Sequence, residues 1–271
     1  MRKLRGLFAA GVLGLSLAAG LTGCGKKAET KQIKVGVNGT DFTIWNYIKD
    51  ELAKEDIDLE VISFSDYIQP NVALADGDID INSFQTEIYF DEFIAARNLD
   101  LVSIGYSVIA PMAVFSENVT DIKDTPEGAK VAIPTDATNG GRALIVLDQA
   151  GLIKLADGVG ATPTVKDIVE NPKNLEITSM DPNLIPNSLP DLDLGVINSN
   201  IAVQAGLKPL EDSIYIQDIE DESAKNYYNI FAVRKEDENN ETLKRMVEIY
   251  RTEPVAKLIE QVYGGAQIPL F

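Results

Sequence analysis

From Ile33 onward the apolar residues fall in short blocks whose spacing switches repeatedly between the alternation of a strand and the three-to-four-residue period of a helix. Ile33–Val37 reads as a strand, and Asp41–Glu55 as a helix with Trp45, Ile48 and Leu52 on one face and acids and lysines opposite. Leu59–Phe64 is the next strand. Pro70–Ala75 is a short helix closed by Asp76 and Gly77, Ile79–Phe84 returns as a strand, and Glu87–Arg97 is again helical. Leu101–Phe115 is long, apolar and β-branched with Pro111 inside it, the pattern of a strand interrupted as the chain passes between two packed bodies. Further on, Lys130–Pro134, Leu175–Met180, Leu192–Ile197 and Tyr228–Val233 predict strands, while Asn139–Ala150 and Thr164–Val169 predict helices. Two C-terminal helices follow: one carries Leu243, Met246, Val247 and Tyr250 on a face, and the other starts at Pro254 with Val255, Leu258, Ile259 and Val262.

Strands alternating with helices argue for an α/β fold, and 271 residues suit two bodies better than one continuous sheet. With Leu101–Phe115 as the outgoing crossing and Tyr228–Arg234 as the return, one lobe comprises 33–108 and 230–271 and the other 109–229. Such a division leaves a ligand cleft between the lobes.

The chain before Ile33 has a different character. Arg2, Lys3 and Arg5 precede an apolar stretch from Leu7 to Leu21 that is broken by glycine and short for a bilayer, which reads as a signal peptide over residues 1–23. Leu21-Thr22-Gly23-Cys24 resembles a bacterial lipobox, in which the cysteine is acylated and becomes the new N-terminus. Residues 24–32 then form a lipidated flexible stalk, polar and free of large apolar side chains but for the lone cysteine. The expectation is an exported protein held by acyl chains at the extracytoplasmic face of the cell membrane, each buried methylene contributing about 0.8 kcal/mol.

Charge and composition remove many activities. Asp plus Glu number 42 against 24 Lys plus Arg, a formal charge of -18, which disfavours a nucleic-acid partner. Histidine is absent and cysteine occurs once, so histidine-dependent triads, zinc sites built on His or Cys and internal disulfides are excluded. No G-x-S-x-G or S-x-x-K signature is present. Asp76, Asp78, Asp80, Asn82 and Glu87 mimic a calcium loop, but Ile81 stands where that loop needs glycine and the intervening residues alternate as a strand. No metal and no cofactor are expected.

Three segments carry chemistry. Thr135-Asp136-Ala137-Thr138-Asn139-Gly140-Gly141-Arg142 lies between a strand and a helix, where threonine or asparagine can cap, glycines permit close backbone approach, and free N–H groups favour an anion. Arg142, read in the first helical turn, opposes the helix dipole, which is understandable if a carboxylate sits between them. A surface salt bridge to one of the 42 acids is the competing reading, and the local pattern leaves both open. Tyr67, Phe84 and Tyr89 fall at strand and helix ends near the cleft and could line an apolar pocket, although each alone reads equally as core. Val196-Ile197-Asn198-Ser199-Asn200 ends a strand in short amides able to hold an ammonium or a carboxylate, or simply to turn the chain.

At these segments the sequence resembles the NlpA lipoprotein family, the methionine-binding substrate-binding lipoproteins of bacterial ABC importers. The likeness spans nearly all of the chain after the stalk. It is carried by Phe64-Ser65-Asp66-Tyr67, Pro70-Asn71-Val72-Ala73-Leu74, Gly77 through Gln85, Thr138 through Leu144, Ala150 through Ile153, Asp167 through Leu175, Val196-Ile197-Asn198 and Tyr228-Asn229. It implies a two-lobed periplasmic-binding-protein fold of the second type, closing over one amino acid and delivering it to a permease with its ATPase. Position by position, Arg142 would grip the ligand carboxylate, Asn139, Asn198 and Asn229 would bond its polar end, and Tyr67, Phe84 and Tyr89 would surround its side chain. The family's motif usually continues Phe-Gln-His, whereas Thr86 follows Gln85 here. L-methionine or a closely related amino acid is the implied ligand; a different small amino acid or a methionine-containing dipeptide is the alternative that the missing ring leaves open. A non-enzymatic capture protein is therefore expected. The competing class, a lipid-anchored hydrolase using paired carboxylates, finds no spacing that selects a pair.

Overall fold

The computed structural model describes residues 31–220 and 222–271. The signal peptide, Cys24 and the stalk up to residue 30 lie outside the described residues. Lys31 and Gln32, read as the end of the stalk, instead open the first strand by pairing with Ile57 and Asp58. Their side chains are exposed, so no hydrophobic signal marked them.

The first body starts with β1 (Lys31–Asn38), α1 (Thr43–Ala53), β2 (Ile57–Phe64), α2 (Gln69–Asp76), β3 (Ile81–Ser83), α3 (Glu87–Arg97) and β4 (Leu101–Ile109). α1 buries Ile44, Trp45, Ile48 and Leu52, the face that the sequence spacing marked. Gly77 closes α2 at φ 82°, a left-handed position where glycine is cheap. The chain then crosses into β5 (Ala113–Phe115), β6 (Lys130–Pro134), α4 (Ala137–Gln149), β7 (Lys154–Leu155), β8 (Ile168–Glu170), β9 (Glu176–Met180), α5 (Ile185–Ser188), β10 (Leu194–Ile197), α6 (Ser199–Gln204), α7 (Pro209–Asp212) and β11 (Tyr215–Ile216). It returns through β12 (Tyr228–Arg234), α8 (Glu241–Tyr250), α9 (Glu253–Tyr263) and β13 (Ile268–Pro269).

Two mixed sheets result. One has the order β13-β4-β12-β3-β1-β2, with β1 parallel to both β2 and β3 and the returning β12 antiparallel to β3 and β4. The other has the order β11-β5-β10-β6-β9. Each sheet separates two apolar clusters. Ile48, Leu59, Phe231 and Met246 pack on one face of the first sheet, and Leu74, Phe90 and Ile230 on the other. Leu144, Leu147 and Val196 cover one face of the second, and Ile185, Ile197 and Ile201 the other. The architecture is a two-lobed α/β fold.

The interrupted run Leu101–Phe115 resolves into β4 in one sheet and β5 in the other, with Pro111 in the gap between them. Three strand ends meet at that crossing, because Ile109 faces both Tyr228 of β12 and Ile268 of β13. Thr164–Val169, predicted as a helix, is a single 3-10 turn at Val165–Asp167 running into β8. Its apolar Val165 and Val169 are exposed, so their spacing carried no packing information. The helix predicted from Asn139 begins at Ala137 instead, because Asp136 caps it by accepting the N–H of Asn139 at 2.8 Å. Arg142 therefore lies in the second turn of α4, away from the helix terminus.

α4 is buried on nearly every side, which explains its paired glycines. A methyl group on Gly140 would come 2.7 Å from the carbonyl oxygen of Pro134, and one on Gly141 would come 2.7 Å from Cα of Thr162. The glycines serve close packing of helix against backbone. Gly141→Ala is expected to destabilise the protein by about 1–3 kcal/mol despite alanine's better helix propensity. Chemical denaturation would read this loss, and a neutral or stabilising change would contradict the packing account.

Candidate functional site

The cleft between the sheets encloses a cavity of about 310 Å³. Several of its walls are the carboxyl ends of strands: Asn38 ends β1, Phe84 follows β3, and Asn198 follows β10. Open α/β sheets place ligands at such strand ends, where loops leave the sheet and side chains converge. Tyr67, Phe84, Thr86, Tyr89, Asn139, Arg142, Asn198 and Asn229, the positions singled out in the sequence, all line this one cavity.

Arg142 is 3% exposed. Its Nε and Nη2 donate to Oε1 of Gln217 at 2.9 and 2.6 Å, Nη2 also donates to the carbonyl of Ala110 at 2.7 Å, and the guanidinium stacks 4.3 Å from the ring of Tyr227. Nη1 makes no hydrogen bond among the described residues. No described Asp or Glu forms an ion pair with Arg142, so the surface-salt-bridge reading is replaced by a buried cation held by neutral groups. Burial pushes its pKa down to about 10, with the Tyr227 and Tyr67 hydroxyls acting in the opposite sense, and it stays cationic at neutral pH. An isolated buried charge is costly, and a site that maintains one is complementary to an anion.

Beside it, Nδ2 of Asn198 donates to Oδ1 of Asn139 at 2.7 Å. Nδ2 of Asn139 in turn contacts both oxygens of Asp136 at 3.0 and 3.2 Å. The chain of amides ends in Oδ1 of Asn198, buried and without a hydrogen-bond partner. Buried polar atoms are nearly always satisfied, and this orphan acceptor asks for a donor. The carboxamide of Asn229 also makes no hydrogen bond among the described residues, while its backbone bridges Thr86.

Opposite lie three aromatic rings in mutual contact. Tyr67 and Phe84 stack with centroids 6.1 Å apart, and Tyr89 meets them edge-on at 6.1 and 6.4 Å. The Tyr89 hydroxyl donates to the backbone carbonyl of Tyr67 at 2.9 Å. Thr86 caps α3, its Oγ1 accepting the N–H of Tyr89 at 3.4 Å.

Sequence reasoning missed the supports of these residues. Asn71, Asn82 and Gln85 form a closed buried amide network, with Gln85 Oε1 accepting from Asn71 at 2.6 Å and Asn71 Oδ1 accepting from Gln85 and Asn82 at 2.7 and 2.9 Å. It fastens α2 to β3 and fixes the backbone that presents Phe84 and Thr86. Amides standing in an otherwise apolar strand pattern were the available signal. Gln217, a single polar residue in an irregular segment, gave none. Asp80, from the calcium-loop mimic, is engaged structurally: it accepts the backbone N–H of Lys34 at 2.8 Å and faces Arg234 at 3.4 Å. Among the described residues no group of three or more acids, cysteines or histidines is arranged to hold a metal ion.

The two lobes are joined across the cavity by neutral hydrogen bonds. Tyr67 donates to Oδ1 of Asn200 at 2.9 Å, Asn200 donates to Oδ1 of Asn38 at 3.1 Å, and Ser199 donates to the carbonyl of Ala266 at 2.9 Å. Burial raises the pKa of the Tyr67 hydroxyl, keeping it a donor at any ordinary pH. Removing that donor in Tyr67→Phe is expected to weaken the closed arrangement by about 0.5–1.5 kcal/mol. Small-angle X-ray scattering should then show a larger radius of gyration with little change in thermal unfolding. A curve identical to the wild type's would show that this contact does not hold the lobes.

Comparison with known proteins agrees with the fold. The model of a family described as NlpA lipoprotein matches residues 33–271. The D-methionine-binding lipoprotein MetQ of Escherichia coli (strain K12) is 38% identical over 272 residues, covering 98% of either chain. Among solved structures, protein PG110 from Staphylococcus aureus superposes with a TM-score of 0.86 at 38% identity, covering 88% of this chain and 94% of the other. A nutrient binding protein from Burkholderia cenocepacia bound to methionine does so with a TM-score of 0.83 at 38% identity, covering 88% of this chain and 100% of that one.

Proposed function

The chain belongs to the NlpA lipoprotein family, and we propose that it is the extracytoplasmic substrate-binding lipoprotein of an ABC importer, capturing L-methionine or a closely related amino acid. One observation supports this reading: Arg142, a buried guanidinium with no counter-ion among the described residues, and Asn198, whose buried amide oxygen has no donor among them, both line the same cavity. A carboxylate and an ammonium on one carbon are the complement of that pair. The relatives support the choice of ligand through a name, D-methionine-binding lipoprotein, and a solved neighbour described as bound to methionine.

In this mechanism Nη1 of Arg142 receives the ligand carboxylate. Oδ1 of Asn198, oriented by Asn139, receives the ammonium with help from the free carboxamide of Asn229. The thioether side chain lies among Tyr67, Phe84 and Tyr89, where sulfur–aromatic contacts are favourable. Thr86 leaves room on one side of that pocket. Residues 33–108 with 230–271 and residues 109–229 act as the two bodies that close, and the neutral contacts across the cleft are weak enough for a ligand to shift the balance. Acylated Cys24 tethers the protein at the cell membrane, where the closed form delivers its ligand to the permease with its ATPase. Asp41 is the only carboxylate among the described residues lining the cavity, which favours capture over hydrolysis by a carboxylate pair.

A second reading has its own support. The same cavity is also lined by Trp45, Tyr250 and Gln267, in addition to the eight positions assigned to the amino acid above, which favours a methionine-containing dipeptide as the alternative ligand.

Isothermal titration calorimetry of ligand-stripped protein with both enantiomers of methionine is expected to give one-to-one binding by at least one of them. Arg142→Ala should weaken it by at least about tenfold, the loss of a charge-assisted hydrogen bond worth about 1.5–3 kcal/mol. Affinity should hold through neutral pH, where Arg142 stays cationic, and fall in alkaline solution, where burial eases loss of its proton and the ligand's ammonium also titrates. Unchanged affinity in the variant would refute the assignment.

A further inference from the structure

Gln217 lies just past β11, at the start of the segment that leads back to β12, and is 4% exposed. Its Oε1 accepts three N–H groups: Nε and Nη2 of Arg142 at 2.9 and 2.6 Å, and the backbone N–H of Met112 at 3.2 Å. Three donors aimed at one atom identify it as the oxygen end of the carboxamide. The backbone N–H of Gln217 also donates to the carbonyl of Met112 at 2.9 Å. A single residue thus ties the segment leading back to β12 to the outgoing crossing and seats the guanidinium on both, since Ala110 of the outgoing crossing accepts from Nη2 as well.

The identity of this residue is informative. At a buried two-point contact with a guanidinium, a carboxylate is the common partner, because it satisfies the donors and cancels the charge together. Glutamine has the same shape and satisfies the same donors, yet leaves the charge in place. We propose that Gln217 is a positioning residue that fixes Arg142 while leaving its positive charge uncompensated, and that an amide here in place of a carboxylate makes the cavity select ligands bearing a carboxylate. This inference rests on the amino-acid-capture reading and deepens it by naming what sets the site's demand for an anion.

The isosteric variant Gln217→Glu separates position from charge. It keeps the acceptors facing Arg142 and Met112 and supplies the missing counter-charge. Calorimetric titration of wild type, Gln217→Glu and Gln217→Met with methionine and with methioninamide, which lacks the carboxylate charge, reads the difference. Wild type is expected to prefer methionine over methioninamide by at least about tenfold. Gln217→Glu should lose about a hundredfold in methionine affinity and most of that preference. Gln217→Met, uncharged, should bind more weakly than wild type but keep the preference. A loss of affinity alone could follow from disturbed packing, whereas a collapse of the methionine-to-methioninamide ratio in the glutamate variant only could not. Retained affinity and preference in Gln217→Glu, or an equal collapse of the ratio in Gln217→Met, overturns the inference. A wild type that binds methionine and methioninamide equally overturns it too. Wild type that binds no methionine overturns the capture reading and this inference with it.

Discussion

A buried guanidinium is an unfavourable thing to build into a protein, and the structure around the cleft holds one at Arg142 with no counter-ion among the described residues. Its hydrogen bonds run to a carboxamide and a backbone carbonyl, its face rests on the ring of Tyr227, and Nη1 makes no hydrogen bond among the described residues. Neutral acceptors satisfy the donors without removing the charge, which a carboxylate would complement. The unpaired Oδ1 of Asn198 adds the opposite demand in the same cavity. On the proposed reading, a site with both is the complement of a zwitterion.

The location of that arginine connects binding to shape. Its acceptors sit on the two segments by which the chain passes between sheets, Ala110 on the way out and Gln217 on the way back. Around the same crossing, β4, β12 and β13 meet at Ile109, giving the joint a rigid base in the first sheet. The rest of the cavity is divided between the bodies: aromatic rings on one side, amides on the other, with Tyr67, Asn200 and Asn38 bonded across the opening. A ligand that touches both sides adds to the few neutral hydrogen bonds already spanning the cleft, and so favours the closed form by its differential contacts.

Much of this was legible in the sequence, for physical reasons that can be named. Long amphipathic helices such as α1, α8 and α9 show their buried faces by spacing, and central strands such as β1 and β6 show theirs by apolar runs. Pro111 marked the crossing because proline interrupts a ladder. Two-to-four-residue elements such as β7, β11, β13, α5 and α7 left no trace, since so short a segment has no period. The 3-10 turn at Val165–Asp167 imitated a helix because its apolar neighbours face water. The eight site positions singled out in the sequence all line one cavity. What the pattern could not supply was burial: Arg142 read equally as a surface ion pair until its exposure of 3% and its neutral partners were known. Gln217, Asn200 and Asn38, which act through tertiary contacts between distant segments, were invisible for the same reason.

On the proposed reading, the charge of Arg142 and the orphan oxygen of Asn198 together receive an amino acid. A crystal structure of the protein with methionine tests it most directly. The account predicts the ligand carboxylate within hydrogen-bond distance of Nη1 of Arg142 and the ammonium within hydrogen-bond distance of Oδ1 of Asn198, with the thioether against Tyr67, Phe84 and Tyr89. Methionine bound with its carboxylate elsewhere, leaving Nη1 and the Asn198 oxygen unpaired, would contradict it.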